Sequence, residues 1–373
     1  MNLTHFSNAY AGPEYNRPAT KPLSDLFSKQ FIDEILELSE MPAPHLWDQR
    51  FIAPIMTFFA TPGKSIRRDF VKLGWKLAQS NSSDEQAARQ PCPEALFQII
   101  EVLHSASLIV DDIEDDSMTR RGVPCLHRQI GLGPALNIAN WLYFVSSFII
   151  DTLDCSPRAQ LNLHRVFNRV MLRCHQGQAI DLSYKISEVN REAIPALVES
   201  STRLKTGVLV GFAVQIASIY LEQSMEDSTT LYDFGEEIGL SLQMYDDLSG
   251  VTNAKRYHKA HEDFYRLRPT WVWLWLARNE SISTIDYYSL IEQLECINTS
   301  LSEAPELNLN GHITTEAYTE FRSELMQWLD AAPRMIEQRI DQALFILQER
   351  YHASSLSYQT AFLAINKLKV SYL

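Results

Sequence analysis

Residues 103–122 read LHSASLIVDDIEDDSMTRRG. An apolar run at helical spacing ends in four aspartates and a glutamate within six residues, Asp111 to Asp116, and Arg120 and Arg121 follow. Asp111 and Asp115 are four apart, so a helix puts them on one face about a turn from each other. His104, seven before Asp111, lies on the same stripe. Like charges at this spacing repel, and the C-terminal end of a helix disfavours anions. A divalent cation offsets both costs. Mg²⁺ takes oxygen ligands, typically one or two carboxylates plus substrate phosphates. A solvated acidic helix end is the plainer alternative. Arginine, however, is the bidentate ligand of phosphate. Carboxylates beside a double arginine therefore suit a diphosphate held between them.

The pattern around this stretch is helical almost throughout. The spacing predicts helices over 22–40, 46–60, 64–80, 93–115, 134–153, 157–185, 190–222, 226–250, 263–278, 281–300, 313–350 and 354–370, with a loop at 251–262. Thr61-Pro62-Gly63, Asn81 to Asp84, Gly131 to Pro134 and Asn308 to Gly311 supply the breaks. Residues 1–20 read as a flexible arm, and residues 21–373 as a single all-α domain.

Composition narrows the function. A net charge of −13 excludes a general basic surface for nucleic acid, so any anion site must be built from particular residues. Five cysteines, at 92, 125, 155, 174 and 296, show no metal-ligand spacing and read as reduced thiols in a cytoplasmic protein. The first twenty residues lack a charged segment followed by an apolar core, so no signal peptide is expected. The most apolar stretch, 135–150, is interrupted by Asn137 and Asn140 and reads as a buried helix, not a membrane span.

Further segments carry matching chemistry. GLSLQMYDDLSG (239–250) ends another helical run with Asp246 and Asp247, and Gln243 lies one turn before Asp247. Alone, that pair reads equally as a capped helix end. TPGKSIRRDF (61–70) places Lys64 and Arg67 at a helix N-terminus, where free backbone N–H groups suit an anion. RLKTG (203–207) adds Lys205 and Thr206.

Together these segments resemble the trans-isoprenyl diphosphate synthase (polyprenyl synthase) family, over about residues 60–275, and geranylgeranyl diphosphate synthases most of all. DDIEDDSMTRRG resembles the family's first aspartate-rich motif, GKSIRR its GKxxR segment and GQAIDL its GQxxDL. KTG matches its KT motif, and LQMYDD resembles the FQxxDD that opens the second acidic motif.

The resemblance implies an all-α bundle around a deep central cavity, acting as a homodimer. It implies head-to-tail condensation of isopentenyl diphosphate with an allylic diphosphate. By that resemblance Asp111, Asp115 and Asp246 hold three Mg²⁺ ions, with Asp112 in support. Arg120, Lys205 and Arg268 contact the allylic diphosphate. Gln178 and Asp181 line the reacting end, and Thr206, Gln243 and Asp247 belong to the same site. Lys64, Arg67, His104 and Arg121 bind isopentenyl diphosphate.

Departures keep other readings open. The second motif is DDLSG, with Gly250 where the family has its last aspartate, and Arg268 stands where a lysine is usual. A class I terpene cyclase on the same fold remains possible from the sequence, as does a non-catalytic synthase subunit. An intact first motif and the full isopentenyl diphosphate set favour the synthase.

Product length turns on the wall beneath Asp111. Ala106 and Ser107 are five and four residues before it, about 6–7.5 Å down the helix. In this family aromatic residues there give C15, so these small ones imply geranylgeranyl diphosphate (C20) or longer, with Leu103 as a deeper floor. The plainer reading is that they permit close helix packing. WVWLWLA (271–277) and Cys174-His175 read as core, and His258 and His261 show no zinc spacing.

Overall fold

The computed structural model describes residues 26–27, 44–61, 66–80, 90–253, 256, 263–303, 316–351 and 356–370. The N-terminal arm, most of the helix expected at 22–40, Lys64, His258 and His261 lie outside the described residues. In chain order the helices are α1 (Pro44–Trp47), α2 (Ala53–Ala60), α3 (Ile66–Ser80), α4 (Glu94–Glu114), α5 (Leu126–Ile130), α6 (Leu132–Asp151), α7 (Pro157–Ser183) and α8 (Ile194–Thr202). They continue as α9 (Val208–Tyr220), α10 (Met225–Thr252), α11 (Trp271–Arg278), α12 (Thr284–Glu303), α13 (Glu316–Met326), α14 (Ala332–Arg350) and α15 (Leu356–Val370).

Local chemistry sets the two long helices. Ser156 caps α7 by accepting from the Ala159 N–H, with Pro157 in the first turn. Ser224 caps α10 by accepting from Asp227. Between them in space runs α9, which packs against α3, α7 and α10. It is apolar apart from Gln215 and Ser218, which bond to Ser228 of α10, and Phe212, Val214 and Ile216 are fully buried. Each contributes about 1.5–3 kcal/mol of burial. Gly235 of α10 lets that helix touch α9 backbone to backbone, since a Cβ there would lie 2.9 Å from the Gly211 Cα.

Four expectations are corrected. The 46–60 helix is interrupted by a π-helical turn at Asp48–Ile52. The 190–222 helix is four pieces: a 3-10 turn at Arg191–Ala193, α8 with a proline in its first turn, a π-helical turn at Arg203–Gly207, and α9. The segment 263–270 is not helical: Pro269 disfavours helix at Arg268, and Leu267 has φ 61. The 313–350 helix breaks before α14, whose first turn holds Pro333. A two-residue hairpin, β1 (Thr119–Arg120) with β2 (Val123–Pro124), was not anticipated by helical spacing. Its turn residues Arg121 and Gly122 have φ 54 and 81, as a type I′ turn needs.

The apolar stretch of the sequence becomes α6, 20 residues, long and apolar enough by length and composition to cross a membrane. It packs along α4, and close to half of it is buried. The three tryptophans of α11 are buried in the core, and their indole N–H groups have no hydrogen-bond partner among the described residues. All five cysteines are free thiols.

Candidate active site

Three helices end at one place: α4 with Asp111 to Asp115, α7 with Gln178 and Asp181, and α10 with Gln243, Asp246 and Asp247. The π-helical turn at 203–207 and the turn at 263–270 close the gap between them. Helix C-termini carry negative partial charge, which adds to that of the carboxylates.

Lys205, in the middle of the π-helical turn, is the hub. Its Nζ lies 3.2 Å from Asp111 Oδ1 and donates to Asp181 Oδ2 at 2.8 Å. Gly177 places it there, because any Cβ at 177 would lie 2.3 Å from the Lys205 backbone nitrogen. Arg268 reaches Asp115 Oδ1 at 2.5 Å and donates to Asp181 Oδ2 at 3.2 Å. The approach to Asp115 is off the hydrogen-bonding direction, so that buried oxygen has an ion pair and no aligned hydrogen bond. Arg120 holds the buried Asp112 through its Nε, at 2.8 and 2.7 Å, and stands 3.7 Å from Asp111. Gln178 Nε2 donates to Asp111 Oδ1 at 3.1 Å and to Glu114 Oε2 at 2.7 Å.

On the opposite wall, both oxygens of Asp247 are engaged. Gln243 Nε2 donates to one at 2.7 Å and the Trp271 N–H to the other at 2.8 Å. Thr206 Oγ1 donates to Gln243 at 3.3 Å. Asp246 pairs with Arg256.

The titration behaviour shows which way the charge balance tips. Burial opposes the charge of Asp111, but Lys205, Arg120 and the Gln178 hydrogen bond outweigh it and hold its carboxyl below the ordinary value. Burial opposes the Lys205 ammonium too, and Asp111, Asp181 and Asp263 more than compensate, raising its pKa. Three other carboxyls are short of cations among the described residues. Burial and then Asp111 raise Asp115 to about 6. Burial raises Asp247 to about 7, against its two hydrogen bonds. Burial, with Asp181, Asp247 and Asp115, raises Asp263 to about 8. This surplus of carboxylate suits a divalent cation. Among the described residues no three carboxylates, histidines or cysteines already converge on one metal position.

Beside the acidic cluster lies a basic one. His104, Arg67 and Arg121 are mutually close. Burial first, then Arg67, Arg120 and Arg121, hold the His104 imidazole well below its ordinary pKa, so it is neutral near pH 7. Burial, Arg67 and Arg120 also lower Arg121. Arg67 is forked onto Glu101 at 3.1 Å, and Arg121 donates to the Thr61 carbonyl at 3.0 Å. Like charges crowded this way suit an anion. A cavity of about 300 Å³ opens beside Arg121, between α2 and the hairpin.

The sequence missed Asp263, Arg256 and the Gln178 contact of Glu114. Ala106 is fully buried in the core, Leu103 is buried, and half-buried Ser107 donates to the His104 carbonyl at 2.8 Å.

Residues 48–296 match the family model described as polyprenyl synthetase. The chain belongs to that family. Similar relatives include a geranylgeranyl pyrophosphate synthase of Emericella nidulans, 29% identical over 197 residues, 52% of this chain and 44% of that protein. One of Hericium erinaceus is 32% identical over 250 residues, 59% of this chain and 68% of its own. The chain spans about half the length of several of the curated relatives it matches. Among solved structures, the geranylgeranyl pyrophosphate synthase from Corynebacterium glutamicum, complexed with isoprenyl diphosphate and magnesium, is similar with a TM-score of 0.69. It is 20% identical and covers 93% of this chain and 97% of that one, so it bears on the family's all-α fold.

Proposed function

We propose that this chain is a Mg²⁺-dependent prenyltransferase that joins isopentenyl diphosphate to an allylic diphosphate, giving a linear trans-prenyl diphosphate, geranylgeranyl diphosphate first among them. The carrying observation is the meeting of three acidic helix ends around Lys205 and Arg268, next to the His104, Arg67 and Arg121 cluster. Two neighbouring anion sites of different character fit two diphosphates, one held with metal and one without.

Asp111 and Asp115, with Asp246 opposite, are the residues that would hold Mg²⁺. Bound there with the allylic diphosphate, Mg²⁺ neutralises the charge that develops on the leaving group. Lys205, Arg120 and Arg268 orient that diphosphate and stabilise it as the carbon–oxygen bond breaks. Arg67, Arg121 and Lys64 hold the second diphosphate, and neutral His104 can donate one N–H to it. The isopentenyl double bond attacks the allylic cation, and the proton released passes to an oxygen of the departed diphosphate. No side-chain nucleophile is required.

A homodimer is supported by an apolar face on α6 and α7, where Leu132, Leu136, Phe144, Leu161 and Leu172 are exposed. A second copy of the chain is the occupant that suits a face shared by two long helices. The free thiols support a reducing compartment, the cytoplasm.

The test is incorporation of labelled isopentenyl diphosphate. With an allylic starter and Mg²⁺, label enters a longer prenyl diphosphate, and chelation stops it. Absence of incorporation with every starter from C5 to C20 contradicts the proposal.

A further inference from the structure

The π-helical turn that presents Lys205 is held from behind. Arg203 and Lys205 are two residues apart, about half a turn of such a helix, so they leave the backbone on opposite sides. Lys205 faces Asp111 and Asp181. Arg203 faces α10 and α8. Its guanidinium meets Glu236 and lies 3.0 Å from Glu237 Oε1 and 3.6 Å from Glu199 Oε1.

These carboxylates belong to one ion network. Glu236 accepts from the Tyr232 hydroxyl at 2.6 Å and from Arg173 of α7 at 3.4 Å. Arg339 of α14 donates to Glu237 at 2.8 Å and to Glu199 at 2.9 Å. The side chains of Glu236 and Glu237 are 10% and 16% exposed, so water and salt screen their attraction for Arg203 only weakly. Gly207, the last residue of the turn, packs on the same support: a Cβ there would lie 3.1 Å from the Glu236 Cγ. Both ends of the turn therefore rest on Glu236. A π-helical turn is rare and departs from the α-helical register on either side, so its shape needs such support. Relaxed to α-helix, the turn would rotate Lys205 away from its present direction.

We infer that Arg203, through Glu236 and Glu237, is the positioning residue that locks this turn in its π-helical register and so aims Lys205 at the diphosphate between the helix ends. It touches no substrate and acts through Lys205. The inference rests on the prenyltransferase reading above and adds a residue to it.

A double-mutant cycle on kcat isolates that route. The unsubstituted protein, Arg203→Gln, Lys205→Met and the double variant are assayed with an allylic starter, isopentenyl diphosphate and Mg²⁺. Arg203→Gln should fold, because Glu236 keeps Arg173 and Tyr232, and Glu237 and Glu199 keep Arg339. Its kcat should fall about 10–100-fold, the scale of a misplaced catalytic group. KM for isopentenyl diphosphate should stay within about twofold, since Arg67, His104 and Arg121 are not on the turn. In the Lys205→Met background the same substitution should cost less than about threefold. If circular dichroism shows Arg203→Gln unfolded, Glu237→Gln takes its place. It removes one partner of Arg203 and leaves Glu236, so a smaller loss with the same non-additivity is expected. An unchanged kcat in the folded variant, or an equal loss with and without Lys205, overturns this inference alone. If the unsubstituted protein turns over no starter, the prenyltransferase reading fails and the inference with it.

Discussion

Lys205 Nζ lies 3.2 Å from Asp111 Oδ1, which ties the π-helical turn before α9 to the acidic end of α4. One ammonium thereby orients a carboxylate of the first acidic motif while facing the space between the helix ends. Lys205→Met should lower kcat about 10²–10³-fold, the scale of losing one preorganised charge donor. Stability should fall less than the 3–5 kcal/mol typical of a broken buried pair, because Arg120 and Gln178 still serve Asp111 and Arg268 still serves Asp181. Steady-state kinetics and a thermal melt separate the two effects.

Gly177 carries the same relationship from the other side. Gly177→Ala should push α7 off the 203–207 turn, because the new methyl would meet backbone 2.3 Å away. The expected cost is about 1–3 kcal/mol, with a loss of activity greater than the drop in folded protein explains. A melt and kinetics on the folded fraction check it.

The surplus of carboxylate predicts an inverted pH dependence. Asp247 and Asp263 have folded pKa values raised to about 7 and 8, so the stability they contribute is present at low pH and is lost as pH rises through those values. His104, with a lowered pKa, works in the opposite sense only below its ordinary 6.5. The metal-free protein should therefore lose about 1–3 kcal/mol between pH 6.5 and 8.5. Asp263→Asn should flatten that slope. Melts in chelator across this range decide it.

Product length gives a contrast between neighbours. Ser107 is half-buried, whereas Ala106 is closed within the core. Ser107→Phe should shorten the product towards C15 while the protein stays folded. Ala106→Phe should destabilise it by about 1–3 kcal/mol through overpacking. Product chromatography and a melt for each variant test the pair.

The parts of the site that are legible in the sequence are those written in helical spacing. Asp111 and Asp115 one turn apart and Gln243 before Asp247 could be placed by counting, whereas Gln178 and Asp181 were reached only through the family resemblance of GQAIDL. Asp263 and Arg256 could not, because both lie beyond the end of α10, where no helical periodicity places a side chain. The flanking pair Phe264 and Tyr265, both buried, was the available signal that Asp263 is drawn inward. Helices over-extended at 263–270 and 327–331 failed for the same reason: prolines and a left-handed Leu267 break the backbone within an unbroken apolar pattern.

The central claim is that two diphosphates are joined here. It is tested most directly by product analysis with Mg²⁺, with and without isopentenyl diphosphate, before and after phosphatase treatment. The account predicts linear prenyl alcohols, C20 foremost, that appear only after phosphatase and only when isopentenyl diphosphate is supplied. A hydrocarbon or cyclic alcohol formed from the allylic diphosphate alone, or no turnover with any starter, would contradict it.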